Sequence, residues 1–516
     1  MNLGDIPRRN SLRFPYKKAL VFGDVSLSWC QVNERVNALV YALRDRGIQK
    51  GDRVGILMEN CHQYLETYWA LAKSGAIAVP LNYRLSIYET KELLCSAEPK
   101  ALIVGEEYVG KMQDLRDSGI DIGCVIGVGN VSDQIENYES LLLKYPTNEP
   151  ESIGKEDDIF AIFYTSGTTG LPKGAMVSNR NLEANCFNQF YADKSSYDDI
   201  NLVATPLYHM GAVFMATTYS YLGCTNNILK HFTPRGALEI IQREKVTVCL
   251  LIPTMINMLL NHPNINNYDL TSLRLIFYGG GPMHVQVLKK AIDLIGCGFT
   301  QGYGLTETLE ATFLVSEDHV LEGTEKQQQR LYSAGREALS AEVRTIDYNG
   351  NDLPPGEVGE VLIKSRSVIR GYWKMPELTA ETIKNDWFYT GDLGYLDEER
   401  YLFIVDRKKD MIISGGVNIY PKEIEEVIYT NPAVLEAAVI GIPDELWGES
   451  VKALVVLKDG CRISEDELIE YCKQHMASYK KPKYVEFLSS LPKNPTGKIL
   501  KRVLREKYWE GHVRSV

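Results

Sequence analysis

Between residues 19 and 305 one pattern recurs. A short apolar run rich in β-branched residues is followed by a longer stretch with helical spacing. The runs fall at 54–58, 76–80, 101–104, 124–127, 159–163, 202–206, 248–253 and 273–278. They are mostly apolar throughout rather than alternating. A strand of that kind hides both faces, which a parallel sheet covered by helices on each side permits. The predicted class is therefore α/β, with a large N-terminal region of parallel sheets. Local signals agree. Residues 19–29 read as a hairpin turning at Gly23-Asp24, 31–47 as a helix stopped by Gly47, 64–74 as an apolar helix, and 179–191 as a helix capped near Ser178.

From about residue 320 the texture changes. Segments 343–347, 359–364 and 401–406 read as antiparallel strands and hairpins, a β-barrel-like subdomain. The run Asp406-Arg407-Lys408-Lys409-Asp410 is either a solvated face or a linker. Beyond it come a helix at 421–429, strands at 435–442 and 452–457, a helix at 465–475 and a strand at 484–487. That is enough for a small α+β domain. A chain of 516 residues exceeds one core. Two domains are expected, 1–406 and 407–516.

Three of the strand ends are rich in glycine. The first continues as Tyr164-Thr165-Ser166-Gly167-Thr168-Thr169-Gly170-Leu171-Pro172-Lys173-Gly174. Glycines let backbone N–H groups face an anion, hydroxyls add donors, and Lys173 adds charge. This is the equipment of a polyphosphate cradle, although a polar surface loop has the same composition. It lacks Walker A spacing. The second end is Gly279-Gly280-Gly281-Pro282, and the third runs Gln301-Gly302-Tyr303-Gly304-Leu305-Thr306-Glu307. In open α/β sheets ligands bind beyond the carboxyl ends of strands, so the three are expected to converge on one ligand. Gly127–Ser132 resembles half of a dinucleotide fingerprint and reads as a turn. His209, between a strand end and Gly211, is either packed or pocket-lining.

Composition removes several alternatives. A net charge of −11 argues against a general nucleic-acid binder. Ten scattered cysteines without a C-x-x-C pair give neither a disulfide framework nor a zinc site, and fit a reducing cytoplasm. No apolar run reaches 18 residues and the first residues lack an apolar leader core, so neither a membrane span nor a secretory signal is expected. Peripheral membrane contact stays open. So does the oligomeric state, a homodimer included.

The cradle, the Gln301–Glu307 segment, Tyr389-Thr390-Gly391-Asp392, the 406–410 charge run and Pro492-Lys493-Asn494-Pro495-Thr496-Gly497-Lys498 occur in that order. Together they resemble the adenylate-forming superfamily of acyl-CoA synthetases, peptide-synthetase adenylation domains and luciferase, over essentially the whole chain. The resemblance implies ATP, Mg²⁺ and coenzyme A. A carboxylic acid would become an acyl-adenylate with release of pyrophosphate, and then a thioester. It implies that Thr165, Ser166, Gly167, Thr168, Thr169 and Lys173 hold the β- and γ-phosphates. Glu307 would ligate the metal and Thr306 touch phosphate. Gly279, Gly280, Gly281, Pro282, Gln301 and Tyr303 would form the adenine site. Asp392 would accept from the ribose hydroxyls with Arg407 nearby, and Lys498 would bridge carboxylate and α-phosphate. A mobile C-terminal domain would swing about Lys409, where a long hydrated side chain suits a hinge. Gly415 and Gly416 would then line the thiol tunnel.

The acid is less constrained. Acetate-specific relatives place a tryptophan at the position of Gly304, so an acyl group larger than acetate is expected, with His209 as a gate. The 207–212 stretch lacks the aspartate of amino-acid-activating relatives, and a buried ammonium without a counter-charge is costly. A medium- or long-chain fatty acid is the leading expectation. An aromatic acid, or a carrier protein acylated in trans instead of CoA, is the alternative. Residues 473–507 hold ten Lys/Arg against two Glu, suited either to CoA phosphates or to a solvated face.

Overall fold

The computed structural model describes residues 2–165, 172–281, 283–415, 417–493 and 499–509. Two large sheets organise the first 340 residues. One has seven strands, in the order Glu136–Asn137, Cys124–Val128, Ala101–Gly105, Arg53–Leu57, Ile77–Pro80, Ile159–Thr165 and Lys173–Ser178. All its pairings are parallel except the last, where Ile159–Thr165 and Lys173–Ser178 form an antiparallel hairpin. The other has nine strands, and its parallel centre runs Gly298–Leu305, Leu275–Gly279, Val248–Leu251, Ile200–Val203, Thr225–Ile228 and Lys18–Phe22. Leu309–Leu314 and Val25–Ser28 flank this centre as antiparallel strands.

One core joins the two sheets. Val54, Ala78, Phe160 and Val177 of the first pack in the same cluster as Leu20, Val248, Phe277 and Phe313 of the second. Helices Trp29–Asp45, His62–Ser74 and Met210–Leu222 contribute to it. Every residue of His62–Ser74 is buried, so its polar side chains need internal partners. The Glu66 carboxylate accepts from Arg35 Nε at 2.8 Å and Nη2 at 3.1 Å, and from Tyr138 Oη at 2.9 Å, and it lies 2.9 Å from His62 Nδ1. Burial opposes its charge, yet the His62 bond and the Arg35 charge bring it down to about 2. Lys73 Nζ donates to Asn37 Oδ1 at 2.9 Å and Glu149 Oε1 at 2.7 Å.

Helix starts follow the local chemistry. Ser178 and Asn181 form a reciprocal capping box for Asn179–Asp193, and Ser28 with Gln31 does the same for Trp29–Asp45. The β-barrel-like subdomain is a curled five-stranded antiparallel sheet built from Ala341–Ile346, Gly359–Ser365, Ile383–Lys384, Trp387–Leu396 and Leu402–Arg407. The C-terminal α+β domain has its own five-stranded sheet and core. Val434–Asp444 and Gly448–Leu457 form its central antiparallel pair, and Tyr484–Phe487 joins in parallel.

The charge run 406–410 is not a solvated face, because only Lys408 is exposed. Asp406 Oδ2 accepts from Lys422 N at 3.0 Å, and Asp410 pairs with Arg505 at 2.8 Å. The basic stretch is also largely neutralised within the domain. Lys473, Lys480, Lys483, Lys493, Lys501, Arg502, Arg505 and Lys507 each pair with a carboxylate. Few of its cations are left over for a ligand's phosphates. Among the described residues no helix is long and apolar enough to cross a membrane.

His319 pegs the strand Leu275–Gly279 from behind. Its Nδ1–H donates to Val315 O at 2.9 Å, so Nε2 accepts from Tyr278 Oη at 2.9 Å. Burial lowers its pKa to about 4.

Two outcomes follow from these contacts. Glu66→Leu leaves Arg35 with Glu139 alone and takes the acceptor from the buried Tyr138 hydroxyl, and should lower unfolding free energy in urea by about 3 kcal/mol. Adding Tyr138→Phe should recover part of the loss, and a double variant no better than the single would rule out the unpaired hydroxyl as a cause. For His319 the unfolded state binds the extra proton first, so native stability declines as pH falls from 6.5 towards about 4. His319→Gln should flatten that limb in thermal melts recorded across the window.

Candidate active site

The cradle hairpin brings Thr165 opposite Lys173, at the mouth of the seven-stranded sheet. Ser166, Gly167, Thr168 and Thr169 between them lie outside the described residues, as do Pro282, Gly416 and Lys498. The other two glycine-rich ends belong to the nine-stranded sheet. Convergence therefore cannot come from neighbouring strands alone. It comes from the segment 369–373. Arg370 N donates to Met176 O at 3.0 Å, Met176 N to Gly371 O at 2.9 Å, and Trp373 N to Gly174 O at 2.8 Å. The same segment reaches the second sheet, where Ile369 N donates to Glu307 O at 2.9 Å and Tyr372 Oη donates to Glu307 Oε1 at 3.0 Å. Lys173 Nζ stands 5.8 Å from the centre of the Tyr372 ring.

Cradle lysine and Glu307 are thus held on the two sides of one tyrosine. Burial raises the Glu307 carboxyl above its ordinary range, while the Tyr372 hydroxyl and the Lys173 charge restrain the rise. Thr306 sits beside it in the turn 306–308. Tyr372 escaped the sequence reading. Its one signal was the Gly-Tyr-Trp step after a strand, and Gly371 does adopt φ +132°, a region that favours glycine.

The second and third glycine ends are adjacent, with Gly279 paired to Gly302. A Cβ on Gly279 would stand 2.7 Å from Gly302 O, so the two backbones meet where side chains cannot. Gly280 has φ +76° and Gly281 opens to free space. Gln301 Oε1 lies 3.2 Å from Tyr278 Oη, whose one hydrogen points to His319. Tyr303 Oη donates to Asp392 Oδ2 at 2.8 Å, and Arg407 Nε lies 3.6 Å from Asp392 Oδ1. Asp392 is 4% exposed and pairs in register with Arg407. Tyr303, Asp392 and Arg407 therefore form one cluster.

Lys409 is next to this cluster and is only partly exposed. Burial, then the neighbouring Arg407 charge, lower its pKa to about 8. The expected freely hydrated hinge side chain is instead a crowded one, and Arg505 Nη1 donates to its carbonyl at 3.3 Å. Gly415, φ +58°, lies in the tight turn between Ile412–Ser414 and Val417–Ile419, where Trp447 leaves no space for a Cβ.

His209 stands at the N-terminus of Met210–Leu222, its ring 4.3 Å from that of Tyr208. Its Nε2 is buried without a partner, and burial lowers its pKa to about 4, so the ring is neutral near pH 7. Phe214 of the same helix packs edge-on against Phe277 at 5.7 Å. Gly304 lies in Gly298–Leu305, the strand paired with Leu275–Gly279. A Cβ there would meet Leu309 O at 1.6 Å, so the bulged pairing of Gly298–Leu305 with Leu309–Leu314 requires glycine. Glycine at 304 is thus required by the strand pairing itself. Glu310, opposite Gly304, was also missed. Nothing in its local sequence distinguishes it from a surface glutamate.

The model of the AMP-binding enzymes matches residues 7–373, and that of the AMP-binding enzyme C-terminal domain matches residues 423–498. A feruloyl-CoA synthase of Amycolatopsis sp is 36% identical over 98% of this chain and 99% of its own length. The long-chain-fatty-acid–CoA ligase FadD13 of Mycobacterium tuberculosis is also 36% identical, over 98% of both. The crystal structure of the anthranilate CoA ligase AuaEII in complex with anthranoyl-AMP superposes with a TM-score of 0.90 at 26% identity, covering 98% of this chain and 97% of that one. Matches of this extent, on both parts of the chain, make it a member of the AMP-binding enzymes, the adenylate-forming superfamily, and an acyl-CoA synthetase.

Proposed function

We propose that the chain activates a carboxylic acid larger than acetate in two half-reactions. In the first, a carboxylate oxygen attacks the α-phosphorus of ATP and pyrophosphate departs. In the second, the CoA thiol loses its proton to solvent, its sulfur attacks the acyl carbonyl, and AMP departs. The observation carrying this reading is the Lys173–Tyr372–Glu307 arrangement, which sets a cation and a carboxylate around one mouth.

In this reading the 165–173 stretch and Lys173 receive the β- and γ-phosphates, and Thr306 contacts them. Among the described residues no group of three His, Cys, Asp or Glu side chains could hold a metal. Glu307 nonetheless fits Mg²⁺, an ion held by one or two carboxylates plus substrate phosphates. When bound, the ion neutralises phosphate charge. Gly279 to Pro282, Gln301 and Tyr303 take adenine, while Asp392, steadied by Arg407, accepts from ribose. Lys498 bridges the attacking carboxylate and the α-phosphate, and residues 407–516 turn about Lys409 to bring Gly415 and Gly416 to the thiol. The acid lies between the His209 helix and Gly302–Gly304. Neutral His209 closes that end without a charge to repel or trap the carboxylate. The ten cysteines are free, which suits a reducing cytoplasm.

The relatives' acids span aromatic and long aliphatic groups, so a panel decides. AMP release with CoA should be measured for propionate through palmitate, benzoate and coumarate, with a carrier protein as the competing acceptor. Acylation of the carrier protein alone would remove the CoA reading, and no AMP from any acid would remove the ligase reading.

Lys498→Ala should slow adenylation by roughly 10²–10³-fold while nearly sparing thioester formation from supplied acyl-adenylate. Equal loss in both half-reactions would assign the lysine elsewhere. Gly304→Ala should cost about 1–3 kcal/mol of stability or more in thermal unfolding, since a backbone oxygen stands where its methyl must go. A fully stable variant would contradict the strand pairing described here.

A further inference from the structure

Resting on the acyl site just proposed, one half-buried carboxyl has no partner among the described residues. Glu310 lies in Leu309–Leu314 directly opposite Gly304. Its Oε2 is 3.0 Å from where a Cβ on Gly304 would stand, and its Cγ is 3.2 Å from the same point on Gly302. The side chain therefore lies over the bare Gly302–Gly304 surface, beside Phe277, whose Cζ is 2.3 Å from the Gly302 Cβ position. Phe214 and Phe313 flank that ring at 5.7 Å and 6.3 Å.

Several other carboxylates among the described residues have partners. Glu66 has Arg35, His62 and Tyr138, Asp392 has Tyr303, Glu307 has Tyr372, and Glu425 has Lys501 and Val439 N–H. The Glu310 carboxyl has no hydrogen bond or ion pair among the described residues, and only its backbone N–H is held, by Asn185 Oδ1 at 3.1 Å. The Nδ2 of that same Asn185 is buried without an acceptor. A buried amide without an acceptor, next to a half-buried carboxyl that no described protein group completes, marks a place where a ligand's polar group gains partners.

We propose that Glu310 is a specificity-determining residue whose carboxyl hydrogen-bonds an N–H or O–H donor carried by the acyl group. The preferred acids are then hydroxy- or amino-bearing ones rather than plain hydrocarbons. Burial alone lifts the Glu310 carboxyl to about 7, so near neutrality it can accept from such a group or donate to it. A plain acyl chain would leave the carboxyl dry and unpaired. Sites built to bond a substrate hydroxyl or amine discriminate strongly against the analogue lacking it.

The test uses matched acids with the full-length enzyme, ATP and CoA: cinnamate against 4-hydroxycinnamate, benzoate against 2-aminobenzoate, and octanoate against 8-hydroxyoctanoate. The wild type should favour the donor-bearing member of at least one pair by roughly tenfold or more in kcat/KM for AMP release. In Glu310→Leu that ratio should collapse to near unity, and in Glu310→Gln, which keeps the shape and one acceptor, part of it should return. A merely structural role would lower both members of a pair together and leave the ratio intact, which would overturn the proposal. So would a wild type that prefers the plain member of every pair. If no acid releases AMP, the ligase reading fails and takes this proposal with it. If acids are activated but the ratio ignores Glu310, the ligase reading stands and only the proposal falls.

Discussion

The hydrogen bond from Tyr372 to Glu307 is the contact on which the site depends. The cradle lysine belongs to the seven-stranded sheet and Glu307 to a turn of the nine-stranded one, so neither sheet contains a complete site. Segment 369–373 closes the gap with backbone bonds to Gly174, Met176 and Glu307, and these fix the spacing before any ligand arrives. Preorganisation of this kind matters for phosphoryl chemistry, where positioning and charge placement supply most of what a protein can contribute. The fully packed helix His62–Ser74 and the shared core keep the two sheets from shifting against each other.

Charge is used differently at the start of the C-terminal domain. Asp406 caps the backbone of Lys422, Lys422 Nζ reaches back to Ile404 O at 2.8 Å, and Asp410 holds Arg505. Arg505 belongs to the helix Lys501–Trp509, which a bridge between Lys493 and Ile499 places just beyond the 494–498 stretch. Residues flanking Lys498 are therefore tied to the segment around Lys409. In the reading proposed above, a turn about Lys409 would carry Asp410 and Arg505 together, whereas the bonds from Lys422 to Asp406 and Ile404 cross the hinge.

Much of the architecture was legible because period and punctuation agreed. Runs at 54–58, 101–104 and 124–127 became parallel strands, helix 421–429 and strand 484–487 were read to the residue, and Ser178 caps where its hydroxyl predicts. What stayed hidden depended on contacts between distant segments. The burial of Asp406 and Asp410 cannot be inferred from five consecutive charges, since their partners lie at 422 and 505. The crowding of Lys409 has the same origin. The backbone contact that requires glycine at 304 shows only in the bulged register against Leu309.

The placement of catalytic and selective groups follows from the same geometry. Where Gly279, Gly302 and Gly304 bring backbones together, those positions leave no room for side chains of their own. In the reading proposed above, much of the recognition falls to groups on other elements: Tyr372 and Asp392 at the nucleotide end, and His209 and Glu310 at the acyl end. The nucleotide end pairs its carboxylates with hydroxyls and guanidinium, which keeps Asp392 oriented. In that reading the acyl end offers a buried neutral imidazole and a half-buried carboxyl without a partner among the described residues. Paired groups are fixed in advance for a ligand that never varies. Unpaired ones gain partners only from the right acid, so their desolvation cost is the energy that separates one substrate from another.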